Sequence, residues 1–143
     1  MNNFKVIIVE DVPLELKGTE GIIRNDIPEA EIIGTANNEA EYWRLIRDNQ
    51  PDLVLLDLGL GGSTTVGVEI CRHTKESYPQ VKVLIFTGEI LNEKLWVDVL
   101  DAGADGINLI IIFRIGSFSQ FIAKPVFCKA AVGVKSLYGA GAP

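Results

Sequence analysis

The chain is poor in the residues that build covalent or metal frameworks. Its 143 residues hold two cysteines, Cys71 and Cys128, one histidine, His73, and one methionine. Two thiols are too few for a disulfide framework, and that usage points to a reducing, cytoplasmic setting. A lone histidine offers no metal site without nitrogen or sulfur partners nearby, so His73 is read as a surface residue. Long apolar runs are absent as well. The longest spans residues 109–113, far short of the length needed to cross a bilayer, so no membrane association is expected. Met1 leads straight into a strand-like run containing Lys5, and no cleavable leader is expected. Basic residues are outnumbered, 13 against 19 acids, for a net charge of −6. That balance argues against direct nucleic-acid binding, which needs a basic face.

What is present suffices for one packed domain over residues 1–143. Hydrophobic residues make up 48% of the chain, which excludes wholesale disorder. There is no internal repeat, and only the small-residue tail 139–143 resembles a flexible end or the start of a linker. Charge is segregated. Residues 1–106 carry all 19 acids with 9 of the 13 Lys and Arg, a net of −10, whereas residues 107–143 carry four basic residues and no acid.

Strand-like and helix-like segments alternate. Residues 4–9 form an apolar run rich in Val and Ile, interrupted only by Lys5, and residues 53–56 are apolar throughout, as in buried strands. Residues 32–36 and 81–86 supply two more strands. Pro13 suits the first turn of a helix running from about Leu14 to Asp26, with Leu14, Leu16, Ile22, Ile23 and Ile27 loosely on one face. Asn38 followed by Glu41 has the pattern of a capping box for a helix ending near Asn49, with Trp43, Leu45 and Ile46 inward. Residues 66–77 form a third helix with Val68, Cys71 and Ile70 on its core side. Residues 92–102 form a fourth, closed by Gly103. The acidic run 29–31 reads as a solvated loop, and Trp43 and Trp96 as packing aromatics. Such a β-α repeat implies a parallel sheet with helices on both faces, whose functional residues gather at the carboxyl ends of the strands.

Those ends are acidic. The first strand ends in Glu10-Asp11, the third in Asp57 and the fourth in Thr87-Gly88. If the first and third strands are neighbours, three carboxylates crowd one edge, and like charges so close call for a counter-ion. A hard divalent cation such as Mg²⁺ fits an all-oxygen set. Isolated acids after strands are ordinary turn residues; three of them beside Thr87 are not easily explained that way.

The chain resembles the receiver domain of two-component response regulators, similar to chemotaxis receivers. The resemblance rests on VIIVED (residues 6–11), LVLLDLGL (53–60), GVEI (67–70), VLIFTG (83–88) and AGADG (102–106), in order across about three-quarters of the sequence. It implies a three-layer (βα)₅ flavodoxin-like, doubly wound parallel sheet of strand order 2-1-3-4-5. It also implies roles. Asp57 accepts a phosphoryl group from a histidine kinase or a histidine phosphotransfer protein. Glu10, Asp11, Asp57 and the Gly59 backbone carbonyl hold Mg²⁺. Thr87 donates its hydroxyl to the phosphoryl group, a lysine at the end of the fifth strand pairs with a phosphoryl oxygen, and an aromatic residue on that strand swings inward with Thr87. The molecule would be a switch for a downstream output domain or protein, with Mg²⁺-dependent self-phosphorylation and autodephosphorylation and no turnover of a free substrate.

Two departures stand out. Gly61-Gly62-Ser63-Thr64-Thr65 replaces the family's proline-containing loop after the phosphoacceptor, and is longer. After Gly106 the expected lysine does not follow. The preferred reading joins Gly106 to Phe121, making residues 107–120 an insertion, Phe121 the aromatic switch and Lys124, before Pro125, the phosphate-pairing lysine. Residues 127, 130, 131, 134 and 137 then fall at helical spacing in a fifth helix. The rival reading makes residues 107–113 the fifth strand, with no lysine at the site; an irregularly packed tail is a third. So apolar an insertion should pack on the domain or against a partner, and a homodimer through it is expected.

Other functions fit less well. A dehalogenase-type phosphatase wants a second Asp where Gly59 stands. The acids after the first strand would repel the phosphate of a flavin or dinucleotide. The alternative that remains is a pseudo-receiver, an interaction module that keeps the fold and does not use phosphorylation.

Overall fold

The computed structural model describes residues 3–86 and 92–107. Its elements run β1 (Phe4–Val9), α1 (Pro13–Asp26), β2 (Ala30–Ala36), α2 (Glu39–Asn49), β3 (Leu53–Leu56), a short 3₁₀ turn (Leu60–Gly62), α3 (Thr64–Ser77), β4 (Lys82–Ile85), α4 (Glu93–Asp101) and β5 (Gly106–Ile107). All strand pairs are parallel, in the order β2-β1-β3-β4-β5. This is the doubly wound sheet that the β-α alternation predicts.

The period-2 alternation of the strands divides the core in two. Ile7, Val9, Val54, Leu56, Val83 and Ile85 face one layer, with Tyr42 and Ile46 of α2, Ile70 and Cys71 of α3 and Val99 of α4. Phe4, Val6, Ile8, Leu53, Leu55 and Leu84 face the other, against Ile23 of α1 and Ile27. β1, β3 and β4 are covered on both faces, which is why they are mainly apolar, broken only by Lys5 and Lys82 near the starts of β1 and β4.

Several expectations shift in detail. Leu14 does not face the core: it is 80% exposed at the start of α1, and Ile23 and Ile27 carry the burial instead. β2 begins at Ala30, so Glu31 belongs to the sheet edge rather than a loop, its side chain in solvent while Lys5 and Glu31 pair through the backbone. In α2, Asn38 accepts the Glu41 N–H at 2.9 Å as expected, but the Glu41 carboxylate reaches the N–H of Asn37 rather than that of Asn38. The wholly buried residues of α2 are Tyr42 and Ile46, with Trp43 and Leu45 half-buried. Asn92 caps α4 by accepting the Leu95 N–H, and the chain turns beyond it at Gly103, where φ is +92°.

β5 starts where the expected insertion starts. Gly106 pairs with Leu84 and Ile107 with Ile85, and Ile107 is buried. A β-branched side chain continuing the parallel ladder is the reason. To that extent the strand follows the rival reading, in which residues 107–113 are the fifth strand. The expected insertion beyond Ile107, the segment containing Phe121 and Lys124, Cys128, the fifth helix and the tail lie outside the described residues, as do Thr87 and Gly88.

Candidate functional site

The register of the sheet brings the acids together. Val9 is level with Leu56, so the next residues, Glu10 and Asp57, emerge side by side. The ladder continues past both strands: the Asp57 N–H donates to the Val9 carbonyl at 3.0 Å, and the Glu10 N–H to the Ala36 carbonyl at 2.9 Å. The Phe86 N–H donates to the Leu56 carbonyl at 2.8 Å, so β4 ends against the same edge, directly before Thr87.

One carboxylate oxygen from each of Glu10, Asp11 and Asp57 lies within 4.8 Å of the others. Glu10 is 3% exposed and Asp57 8%, while Asp11 is half-buried. Backbone amides hold them in place. Val12 N–H donates to Glu10 Oε1 at 3.0 Å, Gly59 N–H to Asp57 Oδ1 at 3.3 Å, and Gly61 N–H to Asp11 Oδ2 at 3.0 Å. The last contact was not foreseen. It folds the glycine-rich loop back over the site, and the only hint in the sequence is that glycines there permit a tight turn.

The electrostatics are unfavourable for a set of bare acids. Burial pushes the Glu10 carboxyl up to about 8 from 4.5; the Val12 N–H opposes this, and the charge and hydrogen bond of Asp57 add to it. Among the described residues no lysine, arginine or histidine forms an ion pair with the three carboxylates. A divalent cation is the group such a set fits. Mg²⁺ with oxygens at about 2.1 Å places its ligands about 3 to 4.2 Å apart, a range that falls inside the 4.8 Å within which the three oxygens lie. Gly59, two residues after Asp57, is half-buried, and its carbonyl oxygen accepts the Gly62 N–H at 3.1 Å.

The model of the response regulator receiver domain matches residues 6–108, and the chain belongs to that family. It is 31% identical over 83 residues to the methanol utilization control regulatory protein MoxX of Paracoccus denitrificans, covering 58% of this chain and 36% of that protein. It is 30% identical over 102 residues to the DNA-binding transcriptional activator DevR/DosR of Mycobacterium tuberculosis, covering 71% and 45%. The fold matches the signal receiver domain of a DNA binding response regulator from Colwellia psychrerythraea with a TM-score of 0.71 at 22% identity, over 85% of this chain and all of that one. The chain spans less than half the length of these two curated relatives.

The protein is therefore a receiver of the two-component response regulators, a signalling domain of a family that works with histidine kinases and output domains and binds Mg²⁺ at an acidic site. One expectation needs correcting. The acidic balance argues against direct nucleic-acid binding, yet a relative similar to this chain is a DNA-binding transcriptional activator. The expectation fails as a statement about a whole regulator, because net charge over one domain says nothing of the surface another domain contributes. Among the described residues, no helix is long and apolar enough to cross a membrane.

Proposed function

We propose that this receiver is a phosphorylation-dependent switch in which Asp57 accepts a phosphoryl group from a histidine kinase or a phosphotransfer protein. The observation that carries this reading is the convergence of Glu10, Asp11 and Asp57 at adjacent strand ends. The Asp57 carboxylate attacks phosphorus, an oxygen–phosphorus bond forms, and the nitrogen–phosphorus bond of the donor phosphohistidine breaks, its electron pair returning to the imidazole. Glu10, Asp11, Asp57 and the Gly59 carbonyl would hold Mg²⁺, which would supply charge compensation for the transferring oxygens. The Gly59 N–H orients Asp57 through Oδ1. Thr87 donates its hydroxyl to the phosphoryl group and follows it inward, with Phe121 as the aromatic switch and Lys124 as the phosphate partner. The output is a changed surface read by an attached or separate output domain in the cytoplasm. Any DNA contact belongs to that domain, and self-association through residues 107–120 is the proposed quaternary contact.

One observation favours a second reading. Ile107 continues the ladder beside β4, and no lysine follows it before residue 124. A fifth strand of that kind leaves the phosphoryl group without its cation, as in a pseudo-receiver that signals by contact alone.

Intact-mass measurement after incubation with acetyl phosphate, with and without Mg²⁺, separates the two. A Mg²⁺-dependent phosphoryl adduct, absent in Asp57→Asn, supports the switch, and weakening in Lys124→Ala assigns the lysine. A folded, metal-binding protein that forms no adduct supports the pseudo-receiver.

A further inference from the structure

The acidic centre is braced from behind by a residue that carries no functional group. Gly67 lies in the first turns of α3, packed against the loop that leaves β3. A Cβ at Gly67 would stand 2.7 Å from the Cα of Leu58, 2.8 Å from its carbonyl oxygen and 3.1 Å from its carbonyl carbon. These are backbone atoms, which cannot rotate away as a side-chain tip can. Leu58 is the residue between Asp57 and Gly59, and its own side chain is fully buried.

Neither side of this contact is free to retreat. On the helix side, Ile70 and Cys71 are fully buried in the core one turn further along α3. On the loop side, Asp57 is tied by its N–H to Val9 and by Oδ1 to the Gly59 N–H. A methyl group at position 67 would be relieved by displacing the Leu58 peptide, and with it the Asp57 carboxylate and the Gly59 carbonyl.

We infer that Gly67 is a positioning residue for the acidic centre: its missing side chain sets the seat of the Leu58 backbone, and thereby the geometry in which Asp57 and Gly59 meet the metal. This rests on the proposed reading of the centre as a Mg²⁺-dependent phosphoacceptor. Backbone seats of this kind act on metal affinity as outer-shell contacts do, typically by about 10- to 100-fold. Gly34 supplies the internal comparison. A Cβ there meets only the end of the Leu45 side chain, at 2.9 Å, on β2 and away from the acids.

The test compares the unmodified chain with Gly67→Ala and Gly34→Ala, all in the same concentration of trimethylamine N-oxide to favour the folded state. Urea unfolding gives the folded fraction, calorimetric titration the Mg²⁺ dissociation constant, and intact mass the acetyl phosphate adduct. The expected result is a folded Gly67→Ala chain whose Mg²⁺ affinity falls by about tenfold or more, with saturating Mg²⁺ restoring part of the adduct. Gly34→Ala is expected to lose stability with its Mg²⁺ affinity unchanged. A folded Gly67→Ala chain with unchanged affinity would overturn the inference while leaving the phosphoacceptor reading intact. A Gly67→Ala chain that stays unfolded where Gly34→Ala folds would overturn it in favour of a packing role. An unmodified chain that binds no Mg²⁺ would sink the reading beneath it.

Discussion

Glu10 lies at the end of a buried strand beside Asp57, and its carboxyl keeps a proton that a surface glutamate would release. The direction of the shift sets how stability depends on pH. Unfolded, the group ionises near 4.5; folded, near 8. Below the lower value both states hold the proton, and the contribution to stability is fully present. As pH rises from about 4.5 to about 8 the unfolded chain releases its proton first, and that stability is lost. Urea unfolding in chelator across this range should show the unmodified protein losing stability relative to Glu10→Gln; parallel profiles would refute the assignment. Because metal binding needs the carboxylate, Mg²⁺ uptake near neutral pH should also release a proton, detectable as a calorimetric heat that varies with the buffer. Tyr42 gives a second test at this scale. Its hydroxyl meets Thr74 Oγ1 at 2.6 Å, and Thr74 in turn donates to the Ile70 carbonyl at 2.7 Å. Tyr42→Phe removes a donor and leaves Thr74 paired, so a loss of about 1 kcal/mol is expected in urea unfolding. Thr74→Val orphans a buried hydroxyl and should cost more, about 1–3 kcal/mol. The reverse order would contradict the geometry.

At the scale of elements, the turn before β5 is held by a staple between α3, β4 and Asp105. Lys75 Nζ donates to the carbonyls of Pro79 and Val81 and pairs with Asp105 Oδ2 at 2.9 Å. The same carboxylate oxygen accepts the Val83 N–H at 2.9 Å, and the Asp105 N–H donates to the Val83 carbonyl. Asp105 thus starts the β4–β5 pairing with its side chain as well as its backbone. Asp105→Ala leaves the Val83 N–H without that partner and Lys75 without its counter-charge. The pair is partly screened by solvent, so a loss of about 2 kcal/mol is expected, read as a lower urea midpoint. Hydrogen exchange should localise the change to β4 and β5, and uniform exchange across the sheet would argue against a local staple. None of this was legible beforehand. Lys75 and Asp105 are 30 residues apart, and each reads as an ordinary surface charge. The Asn38–Glu41 cap, by contrast, was legible because it is completed within one turn of chain.

For the whole molecule, the unpaired acids of the described site make metal and fold interdependent. If Mg²⁺ binds the folded arrangement of Glu10, Asp11 and Asp57, as proposed, it should stabilise the fold by mass action by about 2.7 kcal/mol at 100 times its dissociation constant, read as a higher unfolding midpoint. Asp57→Asn should shrink that gain and Glu10→Gln should shrink it too, in thermal unfolding with and without the ion. An equal rise in all three proteins would place the ion elsewhere.

By itself the sequence determined the periodic features. Apolar strands alternating with helices specified a parallel doubly wound sheet, and the strand ends exposed the three acids, because both signals recur over short stretches of chain. It also showed an acid-free segment after Gly106, without showing where β5 would begin. Only the tertiary structure decided that Ile107 enters the sheet, that the Gly61 amide turns onto Asp11, that Tyr42 is buried against Thr74, and that Leu58 rests on a bare glycine of α3. Each of these joins residues distant in sequence or fixes a backbone approach to within a few tenths of an ångström. Such contacts are selected by packing of the assembled core, for which local pattern carries no record.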